Sequence, residues 1–114
     1  MVDQIFAYKI LSASDWRAAE AEGVTKTDLD LADGYVHLST RKQVGETLSL
    51  HYAGVRNTRL LEFRIDDLGD LRWETSRGGD LFPHLYEPLQ IKLAVRTWQL
   101  SLNDEGIPRL PEDL

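Results

Sequence analysis

The sequence contains no cysteine, and this absence excludes several kinds of chemistry at once. Disulfide bonds, thiolate metal sites and cysteine nucleophiles all need a cysteine side chain. The chemistry that remains rests mainly on histidine, arginine and carboxylate groups. Histidine is itself scarce, because the 114 residues include three of them.

Long apolar runs are missing as well. The longest run, from Ile5 to Tyr8, has four residues, whereas a membrane span needs about twenty. A secretory signal would carry Lys or Arg before a long apolar stretch, and this chain has Asp3 at that point. We therefore expect no membrane association and a cytoplasmic protein, a compartment that suits a chain without cysteine.

Positively charged residues are fewer than negatively charged ones. The chain has 13 Lys and Arg residues against 19 Asp and Glu residues, which gives a net charge of −6. Non-specific binding of nucleic acid depends on basic residues that displace counterions from phosphates. We therefore expect no extended nucleic-acid surface, although a local basic pocket is compatible with the total.

The chain reads as a single domain over residues 1–114. No repeat, low-complexity segment or linker interrupts it, and a chain of this length forms one core. The compact part is predicted over about residues 3–102. Residues 103–114 hold two of the four prolines, and we expect an irregular C-terminal tail there.

Periodicity and capping signals predict two early helices followed mainly by strands. Ser12 with Asp15, and Thr40 with Gln43, have the spacing of capping boxes. Helices are predicted over residues 15–22 and 41–53, and strands over 4–11, 35–39, 59–65, 71–75 and 91–102. Residues 76–89 have no clean period and are predicted as a structured loop with at most one short strand. This order indicates an α+β fold with a largely antiparallel sheet.

The first candidate segment is Gly-Tyr-Val-His-Leu-Ser-Thr at residues 34–40. Strand alternation places His37 on a polar face, and the helix that follows Thr40 begins beside that face. Helix N-termini attract anions, and Arg41 and Lys42 add positive charge. The pattern favours a phosphate or carboxylate site with His37 as donor or proton carrier. The alternative is a simple helix cap beside a half-buried strand histidine. The binding residues predicted here are Ser39, Thr40 and Arg41.

The second candidate segment covers residues 72–86. Two glycines follow Arg77 and let the backbone approach a ligand, and an arginine fork suits a phosphate or carboxylate. Aromatic residues and a second imidazole come next, so the segment indicates a loop that holds an anionic, ring-bearing ligand. The alternative is a tight turn with Phe82 and Tyr86 in the core and surface ion pairs of little consequence. The candidate catalytic residues are His37, Glu74, Arg77 and His84, and the binding candidates of this segment are Arg72, Gly78, Gly79 and Tyr86.

Other known types of site have weaker support. The histidines do not show the close spacing of metal ligands, so we expect no metal site. A triad that uses Ser39 or Ser76 has no local signature. Phosphate-loop, dinucleotide-binding and nucleophile-elbow motifs are absent from the sequence.

The two segments together resemble a bacterial family known as domain of unknown function 952. The stretches that carry the resemblance are residues 33–40, 72–79 and 81–86, together with an opening strand and helix over residues 8–16. The chain departs from the family pattern at Glu87, where the family usually places glycine.

That family resembles ADP-ribosyltransferases and RNA 2′-phosphotransferases, which bind NAD in a cleft of a split, mostly antiparallel sheet. The resemblance implies a small transferase-like enzyme acting on NAD or another phosphorylated nucleotide. In it His37 would orient the ribose or a phosphate, Arg77 would bind a phosphate, and Glu74 or His84 would stabilise charge or move a proton. The alternative is a non-catalytic module that binds a small anion or a protein partner.

Overall fold

The computed structural model describes residues 5–114, apart from the side chain of Arg77. The part of the predictions that falls on residues 1–4 lies outside this range. The described chain forms three α-helices and six strands. In chain order these are β1 (Phe6–Leu11), α1 (Ala13–Glu22), α2 (Asp28–Asp33), β2 (Val36–His37), α3 (Arg41–His51), β3 (Arg59–Arg64), β4 (Leu71–Thr75), β5 (Leu81–Leu85) and β6 (Ala94–Gln99).

The strands form two antiparallel sheets, which confirms the predicted α+β class. One sheet has the order β1-β3-β6 and the other the order β2-β5-β4. The amide of Tyr8 donates to the carbonyl of Ser39 at 2.8 Å, and the amide of Ser39 donates to Tyr8 at 2.9 Å. Among the backbone hydrogen bonds of residues 5–114, these two link the sheets. We call this link the joint.

Two apolar cores lie on the two faces of the first sheet. Strand alternation sends Ala7 and Leu11 of β1 into one core and Tyr8 and Ile10 into the other. Helix α3 covers the second core with apolar residues four apart, as the sequence predicts. Lys9 shares the face of Ala7 and Leu11 and is 4% exposed, so a charged residue occupies a core-facing position.

The two predicted helices are confirmed with small shifts in their ends. Helix α1 begins at Ala13, because Ser12 caps it by accepting from the amide of Asp15, and helix α3 has the predicted capping box. Helix α2 is a third helix that we did not predict. It is six residues long, too short for a periodic signal, and it ends at Gly34, whose φ of 82° suits glycine.

Residues 76–89 contain one short strand, as the prediction for this segment allowed. Residues 81–85 form β5, which is the central strand of the second sheet. Pro83 lies inside β5 opposite Trp73, and proline is usually confined to edge strands because it has no N–H to donate. That general rule is the reason the segment does not read as a strand.

Four predicted strands are longer than the observed ones. Strand β1 begins at Phe6, so Ile5 lies outside it. Strand β2 has two residues instead of five, because Ser39 already belongs to the joint. Strand β3 stops one residue early, where a 3₁₀ turn begins at Ile65. Residues 91–93 also form a 3₁₀ turn, so β6 begins at Ala94. Its length of six residues equals that of β1 and of β3.

Glu87 closes the turn that leads into β4. Its carboxylate accepts hydrogen bonds from the amides of Gly69 at 3.2 Å and Asp70 at 3.0 Å. A Cβ atom at position 69 would collide with the Glu87 carboxylate. A side chain at position 69 would therefore displace the Glu87 carboxylate from these two amides.

We expect Gly69→Ala to displace the Glu87 side chain and lower the free energy of unfolding by about 1 kcal/mol, the usual net value of such hydrogen bonds. Urea denaturation measures this loss. The matched control is the same substitution in a Glu87→Ala background, where no carboxylate remains to be displaced and the added cost should vanish. Equal costs in both backgrounds would show that backbone conformation, and not the collision, makes glycine necessary.

Candidate functional site

A cavity of about 610 Å³ lies beside the joint, between the edge of β1 and the second sheet. Lys9 of β1 and both candidate histidines, His37 and His84, line it. Helices α2 and α3 contribute further wall residues, including Asp30, Asp33, Thr47 and His51. The separation of the two sheets beyond Ser39 thus creates the space in which the candidate residues meet.

Asp30 is the centre of the polar contacts on one wall. Its carboxylate accepts hydrogen bonds from Lys9 Nζ at 2.7 Å and from the backbone amide of His37 at 3.1 Å, and it lies 2.7 Å from His37 Nδ1. Burial alone would raise the pKa of Asp30, but the hydrogen bond from His37 and the charge of Lys9 outweigh it and lower the pKa. Burial lowers the pKa of Lys9 despite the opposing effect of Asp30.

His37 lies between two carboxylates. Its Nδ1 atom contacts Asp30, and its Nε2 atom is 2.9 Å from Asp33 Oδ2. A neutral imidazole has one N–H and donates to a single carboxylate, whereas the imidazolium form donates to both. Helix α2 supplies both carboxylates, so it determines the orientation of the ring.

His84 is held in a different way. Its Nδ1 atom is 2.8 Å from Glu74 Oε1, and the Tyr86 hydroxyl donates to the same oxygen at 2.6 Å. The hydrogen bonds from Tyr86 and His84 lower the pKa of Glu74, and the bond to Glu74 raises the pKa of Tyr86. Among the side chains that the structure describes, which do not include that of Arg77, none forms a hydrogen bond with His84 Nε2. A carboxylate on Nδ1 leaves the Nε2 lone pair available as a proton acceptor.

Tyr35 packs against both histidines. Its ring centroid is 4.1 Å from that of His84 in a stacked arrangement and 4.5 Å from that of His37. The two imidazole centroids are 5.5 Å apart, and Tyr86 lies 5.2 Å from Tyr35. The structure therefore brings together four of the candidate residues, namely His37, Glu74, His84 and Tyr86.

The remaining candidates are placed elsewhere or have structural contacts. The Arg72 guanidinium binds Asp70 at 3.1 Å and lies over the Tyr86 ring at 4.1 Å. Arg41 and Lys42 are exposed and do not line the cavity, and the Thr40 hydroxyl caps α3. Ser39 lines the cavity, whereas Gly78 and Gly79 lie exposed in the turn before β5. The Arg77 side chain lies outside the described structure.

Arg41, Lys42 and Arg72, which the sequence suggested as binding groups for an anion, therefore do not line the cavity. Instead, carboxylates dominate the charged groups of the wall. The acidic residues that line the cavity are Asp15, Asp28, Asp30 and Asp33. Apart from the histidines, Lys9 is the one positively charged residue among the described residues that line the cavity. It already forms an ion pair with Asp30. This cavity consequently favours positive charge and hydroxyl groups over a bare anion.

Sequence reasoning missed Lys9, Asp30, Asp33 and Tyr35. Two signals pointed to them: a single lysine in the apolar strand Phe-Ala-Tyr-Lys-Ile-Leu, and closely spaced aspartates over residues 28–33 just before the His37 segment. Within residues 5–114, no cluster of three or more His, Cys, Asp or Glu residues has a metal-binding arrangement. None of the helices in that range has the length and apolar character to cross a membrane.

Comparison with known proteins places this architecture in a described family. Residues 10–97 match the sequence profile of a family described as "Protein of unknown function (DUF952)". No curated protein matches the chain.

Solved structures of protein CC0527 from Caulobacter crescentus are similar to this one. The crystal structure shares 45% sequence identity, covers 92% of this chain and 94% of its own, and has a TM-score of 0.87. The solution structure shares 44% identity, covers 96% and 97% of the two chains, and has a TM-score of 0.84. The similarity extends over the whole domain.

We expect Asp30→Asn to lower the free energy of unfolding by about 3–5 kcal/mol, because it leaves the Lys9 ammonium buried without a charged partner. The double variant Lys9→Met, Asp30→Asn removes that charge and should be more stable than Asp30→Asn alone. The single variant Lys9→Met completes the set. Urea denaturation of the three variants and the wild-type protein measures the coupling energy between Lys9 and Asp30. Costs that simply add would show that the two side chains act independently.

The lowered pKa of Asp30 also predicts a pH dependence of stability. Its contribution is present above the ordinary aspartate pKa of about 3.9 and is lost as the pH falls through the lower folded value. Stability should therefore begin to fall as the pH drops below about 5 and should keep falling through the lowered folded pKa of Asp30, less steeply in the double variant than in the wild-type chain. Denaturation curves at several pH values test this, and parallel curves for the two proteins would contradict it.

Proposed function

The chain belongs to the DUF952 family, and we propose that it is a transferase-like enzyme that cleaves the bond to ribose in NAD or a related nucleotide. The observation that carries this proposal is the pair of histidines that line one cavity 5.5 Å apart. Each has a carboxylate at Nδ1, and His84 has an open Nε2 atom among the described residues. Such an oriented imidazole beside a cavity is suited to proton transfer.

The charge of the cavity supports a reaction in which the substrate becomes more positive. When the base departs from a ribosyl bond, the ribose acquires oxocarbenium character, as in glycoside cleavage. Carboxylates aimed at that centre stabilise the developing charge. Asp30 and Asp33 line the cavity, and the pKa of Asp30 lies below its ordinary value, so this group is ionised at neutral pH.

Each residue receives a role in this proposal. His84 accepts the proton of the attacking water or hydroxyl at Nε2, and Glu74 holds the ring in the required tautomer. Asp33 has a side chain that is 41% exposed, and its carboxylate can accept a hydrogen bond from a ribose hydroxyl while it stays bonded to His37 Nε2. Arg77 is proposed to bind a phosphate, and the nicotinamide end of the nucleotide occupies the acidic cavity.

A second candidate function is passive binding of a small ligand without turnover. The observation that favours it is the complete pairing of the His37 nitrogens, which Asp30 and Asp33 satisfy within the protein. In such a protein, His37 would shape the wall of the cavity and take no part in proton transfer. Binding and turnover experiments distinguish the two functions.

We expect NAD to raise the thermal unfolding temperature of the protein more than NADH, whose reduced ring is neutral, and inorganic phosphate to have no effect. A ligand at one hundred times its Kd stabilises the fold by about 2.7 kcal/mol. Differential scanning fluorimetry with the three compounds measures the order. No shift with either dinucleotide at millimolar concentration would overturn the proposed action on NAD.

Turnover is followed as release of nicotinamide by chromatography. Glu74→Gln keeps the shape of the side chain but removes its charge, and we expect it to slow release by about 10²–10⁴-fold while dinucleotide binding remains. The matched control is Glu20→Gln on the exposed surface of α1, which should behave like wild type. Binding with no release by the wild-type protein would establish the passive module instead.

A further inference from the structure

Lys9 is a buried amine beside the cavity that the proposed reaction does not use. Its side chain is on the core-facing side of β1, is 4% exposed, and lines the cavity. The other lysines of the described chain, Lys26, Lys42 and Lys92, are exposed. A lysine that faces a core usually has a specific partner, because burial of an unpaired ammonium group is costly.

The partners of Lys9 are placed to handle its proton. Its Nζ atom is 2.7 Å from Asp30 Oδ2 and 3.1 Å from the carbonyl oxygen of His37. The other carboxylate oxygen of Asp30 lies 2.7 Å from His37 Nδ1, so Asp30 connects the amine with an imidazole. Lys9 thus has a proton acceptor in direct contact and a second titratable group behind it.

Burial lowers the pKa of Lys9, although the charge of Asp30 opposes this effect. A lysine in such surroundings has a larger neutral fraction than a solvated one, and the neutral amine is the nucleophilic form. Lysines that form Schiff bases in proteins are activated by desolvation of this kind.

From this geometry we propose that Lys9 forms a Schiff base with a neutral aldehyde or ketone that enters the cavity. The acidic wall disfavours carbonyl compounds that carry a carboxylate or phosphate, so small aldoses and hydroxyaldehydes are the class that fits. The cavity volume of about 610 Å³ accommodates a ligand of that size. This inference rests on Lys9 and Asp30 and does not depend on the proposed cleavage of a ribosyl bond.

The step balances without an oxidant or reductant. Asp30 takes a proton from the Lys9 ammonium, and the nitrogen lone pair forms a bond to the carbonyl carbon. The carbonyl oxygen takes up the displaced electron pair and the proton that Asp30 carries, which gives a carbinolamine with a protonated nitrogen. This nitrogen then gives one proton to the hydroxyl group, which leaves as water, and a protonated C=N bond forms beside the Asp30 carboxylate. The sum is one ammonium group and one carbonyl compound giving one protonated imine and one water.

Reductive trapping tests the proposal on the intact wild-type protein. The protein is incubated at neutral pH with glycolaldehyde and sodium cyanoborohydride, which reduces an imine to a stable secondary amine. Peptide mapping by mass spectrometry then gives the labelling rate of each lysine. We expect Lys9 to be labelled at least severalfold faster than Lys26, Lys42 and Lys92, because a lowered pKa leaves a larger fraction of neutral amine at neutral pH.

Two controls show whether the selectivity comes from the site. Labelling in urea should proceed at similar rates at all four lysines, since the cavity is then absent. Lys9→Arg retains the positive charge beside Asp30 and should lose the fast label while the three exposed lysines are unchanged. If Lys9 in the native protein is labelled more slowly than the exposed lysines, or at the same rate, the proposal is wrong and the ion pair with Asp30 is structural alone.

Discussion

The carboxylate of Asp30 is the group on which the candidate site depends. It binds the ammonium group of Lys9 on β1 and both the backbone amide and the ring of His37 on β2. Asp30 itself lies in α2, whose first turn is capped by Thr27. One buried anion therefore determines the position of a helix, the orientation of an imidazole and the ionisation of a lysine. Removing its charge would disturb all of these together, because each contact is made to the same pair of oxygens.

The sequence predicted the fold best where local signals are strong. Capping pairs at Ser12 and Thr40 identified the two longer helices, and alternation identified β3 and β4 within one residue. The prediction was incomplete where the decisive contacts are distant in the chain. Strand β5 contains a proline that argues against a strand, and its pairing with β2 and β4 is what makes it one. Six-residue α2 is likewise held mainly by partners on β1 and β2.

The candidate site shows the same division. Residue types and their clustering pointed to His37, Glu74, His84 and Tyr86, and the fold does bring these residues together. The charge of the site could not be predicted in that way. Arg72, which is near it in sequence, binds Asp70, whereas aspartates from an unpredicted helix line the cavity. The charge of one sequence segment does not predict the charge of a cavity whose walls come from several elements.

The joint between the sheets has a mechanical consequence. Each sheet is stiffened by its own three-stranded pairing, but their backbones are linked within the described chain by the two hydrogen bonds of Tyr8 and Ser39. Residues of both sheets, such as Phe63 of β3 and Leu85 of β5, also pack in one apolar core. The separation of the sheets at the cavity is therefore limited by that shared core as well as by the joint, so a larger side chain in this core would alter the width of the cavity without touching its wall.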